Sequence, residues 1–128
     1  MQLDHLTVPV WDYDRSKAFY AEALAPLGFE VLMDWHQKRR AYLGIPPAPS
    51  TLWLVESPVV AHVEISLAAP DGDAVDAFHA AATAAGARTI DAPGTRSDHR
   101  SRCYAARVVD PDGNMVECVH RTAARAAA

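Results

Sequence analysis

Cysteine is scarce in this chain. Two in 128 residues, Cys103 and Cys118, cannot make a disulfide framework. A reducing compartment is the expected setting, and the cytoplasm the expected location. No apolar run approaches the roughly 20 residues that a membrane helix needs, so no membrane partner is expected. No Lys/Arg-rich run occurs either, and the formal net charge of -4 argues against a nucleic-acid surface. The opening residues Met1-Gln2-Leu3-Asp4-His5 enter a strand pattern at once, so no secretory leader is expected. What is present is ordinary for a globular domain. Half of the residues are hydrophobic and 22% are charged, which predicts one compact domain with a packed core.

The most informative stretch is Ala61 to Leu67. His62, Glu64 and Ser66 alternate there with Val63, Ile65 and Leu67. Period two is the pattern of a half-buried strand. A histidine, a carboxylate and a hydroxyl on one face suggest a cavity lining, with His62 turned into a metal site. In chain order, Leu3 to Val10 reads as a first strand with His5 and Thr7 on one face. Asp12 or Asp14 then caps a helix that runs to about Ala25. Pro26 and Gly28 stop it. Strands follow at Phe29 to Trp35, Arg39 to Ile45 and Thr51 to Glu56. The order then repeats: a strand at Ala61 to Ala69, a helix at Ala74 to Ala85, a short strand at Arg88 to Ala92, and a loop from Pro93 to Arg102. Two strands close it, Cys103 to Val109 and Met115 to His120, around the turn Asp110-Pro111-Asp112-Gly113, where Pro fixes φ and Gly permits positive φ.

The chain is therefore two copies of strand-helix-strand-strand-strand. The first spans residues 1–57 and the second 61–120, with 121–128 as a tail, all within one domain. An internal repeat of this kind outranks any single motif as fold evidence. The fold class is α+β, two βαβββ modules. Each opening strand carries a histidine on its polar face, His5 in the first and His62 in the second.

Three segments now support a comparison: Leu3-Asp4-His5-Leu6-Thr7-Val8; Arg15-Ser16-Lys17-Ala18-Phe19-Tyr20 with Gly28-Phe29 after it; and Val109 to Glu117. With His62 they resemble the vicinal oxygen chelate superfamily of glyoxalases, extradiol dioxygenases, fosfomycin-resistance thiol transferases and bleomycin-binding proteins. The resemblance covers nearly the whole chain. It implies mixed sheets that curl around a cleft, and metal ligands on the first strand of each module and on the last strand. By position these are His5, His62 and Glu117. Two imidazoles and a carboxylate form a facial set for Fe, Mn, Zn or Ni, with open positions where an ion can chelate two neighbouring substrate oxygens. The implied activity is that of a divalent-metal enzyme on a small oxygen-rich molecule: a lyase or isomerase, a ring-cleaving dioxygenase or a thiol transferase.

Other residues refine this expectation. Glu64 is placed as a base or as a group orienting a ligand. Arg107, brought near Glu117 by the hairpin turn, either neutralises that carboxylate or binds an anionic substrate. Thr7 and Trp53 stand where the resemblance puts a threonine and a tryptophan of the substrate cleft. Glu56 reads as a surface residue rather than a fourth ligand. The loop residues Arg96, His99, Arg100 and Arg102 form a basic cluster that either gates an anionic substrate or is simply solvated, and each one alone reads as solvated. His36 and His79 read as surface residues, His120 as turned away from Glu117, and the two cysteines as lying on opposite faces. The alternative is a metal-free binding protein of the bleomycin-binding kind. Such proteins hold a cationic drug with an aromatic cleft, often at a dimer interface, and an acidic surface; the net charge of -4 and Trp11, Trp35 and Trp53 permit that reading. A homodimer is expected in either case, because small curled modules leave edges and apolar faces that a second copy would cover.

Overall fold

A computed structural model describes residues 3–48, 51–97 and 101–122. The first module runs β1 (Leu6–Val10), α1 (Tyr13–Leu24), β2 (Glu30–Trp35), β3 (Arg40–Gly44) and β4 (Leu52–Glu56). The second runs β5 (Glu64–Ala68), α2 (Gly72–Ala84), β6 (Arg88–Ser97), β7 (Arg102–Val109) and β8 (Met115–Arg121). Each helix starts where an aspartate can cap it. Asp12 accepts from the Arg15 backbone N–H at 3.1 Å, and Asp71 from that of Ala74 at 2.8 Å. Such caps contribute about 1 kcal/mol each. A short 3-10 turn over Ala25–Leu27 extends α1, and Gly28, at φ 89°, ends it in a left-handed conformation that costs glycine nothing.

The two sheets have the same topology, β1-β4-β3-β2 and β5-β8-β7-β6. In each, the opening strand pairs in parallel with the last strand of its own module, and the other pairs are antiparallel. One face of each sheet carries the apolar half of the alternation: Val8, Val10, Leu43, Leu52 and Leu54 in the first, Ile65, Val108, Val116 and Cys118 in the second. Phe19, Tyr20 and Leu24 of α1 and Val75, Phe78 and Ala82 of α2 cover these faces, and all belong to one core cluster. Burying each larger side chain contributes about 1.5–3 kcal/mol. The helices also pack on each other, so both lie on one side of the molecule. Among the described residues no ladder joins the two sheets. Both sheets turn their other, open face away from the helices.

Several expected boundaries move. β1 begins at Leu6 and β5 at Glu64, later than the alternation suggested. The expected loop from Pro93 to Arg102 is for the most part strand. β6 runs through Pro93 and Gly94 to Ser97 as an edge strand whose register slips twice, between Thr89 and Asp91 and between Asp91 and Gly94. Pro93 falls in the second slip, where no ladder hydrogen bond is asked of it. His99 and Arg100 lie outside the described residues, as does the tail beyond Thr122.

Candidate functional site

Across the open face of the first sheet, the register sets Thr7 beside Trp53, Trp53 beside Tyr42, and Tyr42 beside Met33. Their chain neighbours Leu52, Leu54, Ala41 and Leu43 are buried in the core, so alternation turns this row outward. His5, just ahead of β1, lays its ring on Trp53 with centroids 3.4 Å apart and planes within 10°. Tyr42 stacks on Trp53 at 4.2 Å and 16°. Because β4 lies between β1 and β3, the two neighbours cover opposite faces of the indole. Each such ring pair contributes about 0.5–1.5 kcal/mol beyond area burial. The His5 Nδ1 donates to Asp4 at 2.8 Å, which leaves Nε2 as its other nitrogen.

The second sheet carries a polar row in the corresponding place: Ser66, Glu117, Arg107 and Asp91. The Ser66 hydroxyl donates to Glu117 Oε1 at 2.6 Å, and Arg107 Nε donates to Oε2 at 2.9 Å. Asp91 lies 3.7 Å from the far side of the guanidinium. Burial pushes the Glu117 carboxyl up, but the hydrogen bonds from Ser66 and Arg107, with the positive charge of Arg107, outweigh it and hold the carboxyl below its ordinary value. The bonded carboxylate in turn holds Arg107 more firmly protonated, with Asp91 and Glu64 adding to it. Beside this row Cys103, Ala105 and Val119 form a small buried cluster on the open side.

Two hollows meet at Ser66. A cavity of about 300 Å³ lies between the two sheets, lined by Leu3, Leu6, Thr51 and Leu52 on one side and by Glu64 to Leu67 on the other. A wider groove of about 540 Å³ continues past Ser66 along Ala68, Val119 and Arg121.

The helix caps show which residues correspond between the modules. His5 stands seven residues before the cap Asp12, and Glu64 stands seven before the cap Asp71. Thr7 pairs with Trp53 and Ser66 with Glu117. The counterparts are therefore His5 and Glu64, Thr7 and Ser66, Trp53 and Glu117. This corrects the expected pairing of His5 with His62. A shift of two residues keeps a side chain on the same face of a strand, so alternation alone could not distinguish His62 from Glu64; counting back from the caps does. His62 is exposed and precedes β5, with its ring against the β7–β8 turn. A Cβ placed on Gly113 would meet the His62 Nε2 at 2.9 Å.

The fit to a metal ion follows from these positions. His5 alone keeps the arrangement of a ligand, with its other nitrogen bonded to a carboxylate. Both Glu117 oxygens are engaged by Ser66 and Arg107. The first-module counterpart of Glu117 is Trp53, which offers no donor atom to an ion. Among the described residues no group of three or more His, Cys, Asp or Glu side chains could hold an ion. His5, His62 and Glu117 are not brought together, and this donor set does not fit a divalent metal. Arg107 pairs with Glu117, while Glu64 lines the cavity between the sheets.

The remaining assignments are plain. Glu56 accepts from the Tyr13 backbone N–H at 3.0 Å and faces Arg39 at 3.7 Å. His120 turns away from Glu117 and bonds the Ala69 carbonyl at 3.2 Å. The two cysteines are free and buried, on opposite faces of the second sheet.

One polar centre was missed. Asp110, 4% exposed, accepts from the backbone N–H groups of Asp112 and Asn114 at 2.8 Å each, from the Asn114 side chain at 2.9 Å, and from the Tyr20 hydroxyl. Burial first, then Asp110, pushes the Tyr20 phenol well above its ordinary range. Asp112 accepts from Arg15 and Ser16 of α1 at 3.2 and 3.1 Å. The turn thus ties the second module to the first helix. The sequence signalled the turn, but not that a tyrosine from the other module would reach it.

The chain can now be set beside known proteins. The model of the Glyoxalase/Bleomycin resistance protein/Dioxygenase superfamily matches residues 2–118. A glyoxalase/bleomycin resistance protein from Albidiferax ferrireducens is 30% identical, with a TM-score of 0.79 over 92% of this chain and 98% of that one. TnmS3, an antibiotic binding protein from Streptomyces, is 26% identical, with a TM-score of 0.68 over 95% of this chain and 97% of its own. A glyoxalase I mutant from Zea mays, 22% identical, shares the fold over 94% of this chain and 45% of its own, with a TM-score of 0.68. No curated protein matches.

Proposed function

The chain belongs to the Glyoxalase/Bleomycin resistance protein/Dioxygenase superfamily, and from that membership we propose that it binds a planar organic molecule without a metal ion. The observation that carries this reading is the state of Glu117. A carboxylate held by Ser66 and Arg107 on its two oxygens is a recognition group rather than an ion ligand. The row offers hydroxyl, carboxylate and guanidinium groups along one edge, while His5, Trp53 and Tyr42 supply aromatic surface on the other sheet. Apolar walls with a few convergent polar groups suit a small ligand. The likeness to an antibiotic binding protein at 26% identity supports the same reading. A homodimer belongs to it, because Val31 and Leu32 on β2 are exposed and form an apolar edge that a second copy would cover. No helix among the described residues is long and apolar enough to cross a membrane.

The test is a screen of planar aromatic compounds by quenching of tryptophan fluorescence, with EDTA present throughout. Binding that survives the chelator and is lost in Trp53→Ala supports the reading. Binding that appears only when Fe, Mn, Zn or Ni ions are added, and vanishes in Glu117→Ala, overturns it in favour of a metal enzyme.

A further inference from the structure

The Arg40 guanidinium takes no part in the polar row, although the Arg40 backbone carbonyl accepts from the Tyr13 hydroxyl at 3.0 Å. The residue sits on β3, opposite Val55 of β4 and Trp35 of β2. Its neighbour Ala41 is buried in the core, so Arg40 belongs to the open face, two residues from Tyr42. Its Nε is buried and has no hydrogen-bond partner. Among the described residues no ion pair involves it. Other arginines behave differently: Arg39, its chain neighbour, faces Asp14 and Glu56 at 3.4 and 3.7 Å, and Arg107 on the second sheet holds Glu117. A guanidinium stays charged at any physiological pH, and a buried N–H without an acceptor is costly to keep.

The surroundings of Arg40 are apolar and lean positive. Thr7, Trp53, Val55, Tyr42, Met33 and Trp35 share its face. Lys38 Nζ sits 5.9 Å from the centre of the Trp35 ring. Among the described residues of this face, Glu30 pairs opposite Gly44, four residues along β3 and so about 13 Å away, and Asp4 is bonded to His5 at 2.8 Å. Both faces of Trp53 are covered by His5 and Tyr42, whereas Trp35 is 47% exposed and has ring surface to offer.

We propose that Arg40 anchors an oxyanion, a carboxylate or sulfonate or phenolate, carried by a planar ligand that lies against Trp35 and Tyr42. This rests on the binding reading above and names the ligand class: an aromatic acid rather than a cationic aromatic. The anion supplies the acceptor that Arg40 lacks, and the rings supply the apolar contact.

The test compares two dyes on the intact chain by fluorescence titration. One is 1-anilinonaphthalene-8-sulfonate; the other is N-phenyl-1-naphthylamine, the same ring system without the sulfonate. Arg40→Met is expected to weaken the sulfonate dye about tenfold and to leave the uncharged dye within about twofold. Trp35→Ala is expected to weaken both. Arg88→Met, which removes an exposed arginine on β6, is expected to change neither. The melting midpoint of Arg40→Met should hold or rise, because an unpaired buried donor is removed. Equal effects of Arg40→Met on both dyes, no effect on either, or a lowered midpoint would overturn the assignment of Arg40 while the uncharged dye still reports the cleft. Failure of both dyes to bind the wild type would overturn the binding reading and this inference with it.

Discussion

Replacing Arg107 with Met tests whether Glu117 is truly held as a paired carboxylate. Methionine keeps an apolar stem of similar reach and removes the charge. Glu117, whose side chain is 17% exposed, is then left with Ser66 as its hydrogen-bond donor. A charge-assisted hydrogen bond contributes about 1.5–3 kcal/mol when sheltered. The Arg107 side chain is 40% exposed, so solvent screening brings the expected loss to about 1 kcal/mol. The sign with pH follows from the direction of the Glu117 shift. Its folded carboxyl lies below the ordinary 4.5, so the stabilisation is fully present above that value and is lost as pH falls through the lower, folded one. Urea unfolding of both proteins near pH 7 and near pH 3 measures this. The gap between wild type and Arg107→Met should be about 1 kcal/mol at the higher pH and should narrow at the lower. A gap of the same size at both, or no gap near neutrality, would refute the pairing argument.

Other outcomes follow from the same contacts. Gly113 sits at φ 89° under the His62 ring, so Gly113→Ala should destabilise by about 1–2 kcal/mol; adding His62→Ala should recover the part due to the clash and leave the backbone strain, as denaturant titrations would report. Tyr20→Phe removes one of four donors to buried Asp110 and should cost about 1–2 kcal/mol, seen as a lower urea midpoint with an unchanged slope. Burial, with Glu117 adding, pushes the Cys118 thiol up to about 12, so it should resist a thiol reagent at mildly alkaline pH until the chain unfolds. Truncating the middle ring of the stack, Trp53→Ala, should cost about 2–3 kcal/mol from lost packing on both faces, and thermal melting would read it.

The repeat was legible because each module announces itself in the same way. An alternating strand leads to a helix in each, and the structure places the caps at Asp12, one of the two aspartates expected there, and at Asp71. The turn at Asp110 to Gly113 was legible for a similar reason, since proline and glycine fix its geometry locally. The pairing of Arg107 with Glu117 could be read from the hairpin, because the turn sets which residues face each other across it. What alternation could not fix was position along a strand. His62 and Glu64 share a face, and only the distance to the helix cap shows that Glu64 is the counterpart of His5. The sequence pattern ends β6 at Ala92, ahead of Pro93, yet an edge strand with slipped register accommodates the proline and runs on to Ser97. The bond from Tyr20 to Asp110 joins residues 90 positions apart and depends on how the two modules pack. Nothing local in the sequence encodes that. Arg40 was passed over for a related reason: an unpaired guanidinium can be recognised only when the whole neighbourhood is known.

The central claim is that this cleft works without an ion. Its most direct test is elemental analysis of protein purified without chelator from cells supplied with Fe, Mn, Zn and Ni. The account expects metal well below one equivalent per chain, with no difference between the wild type and Glu117→Ala. Near-stoichiometric metal in the wild type that disappears in both His5→Ala and Glu117→Ala would contradict it.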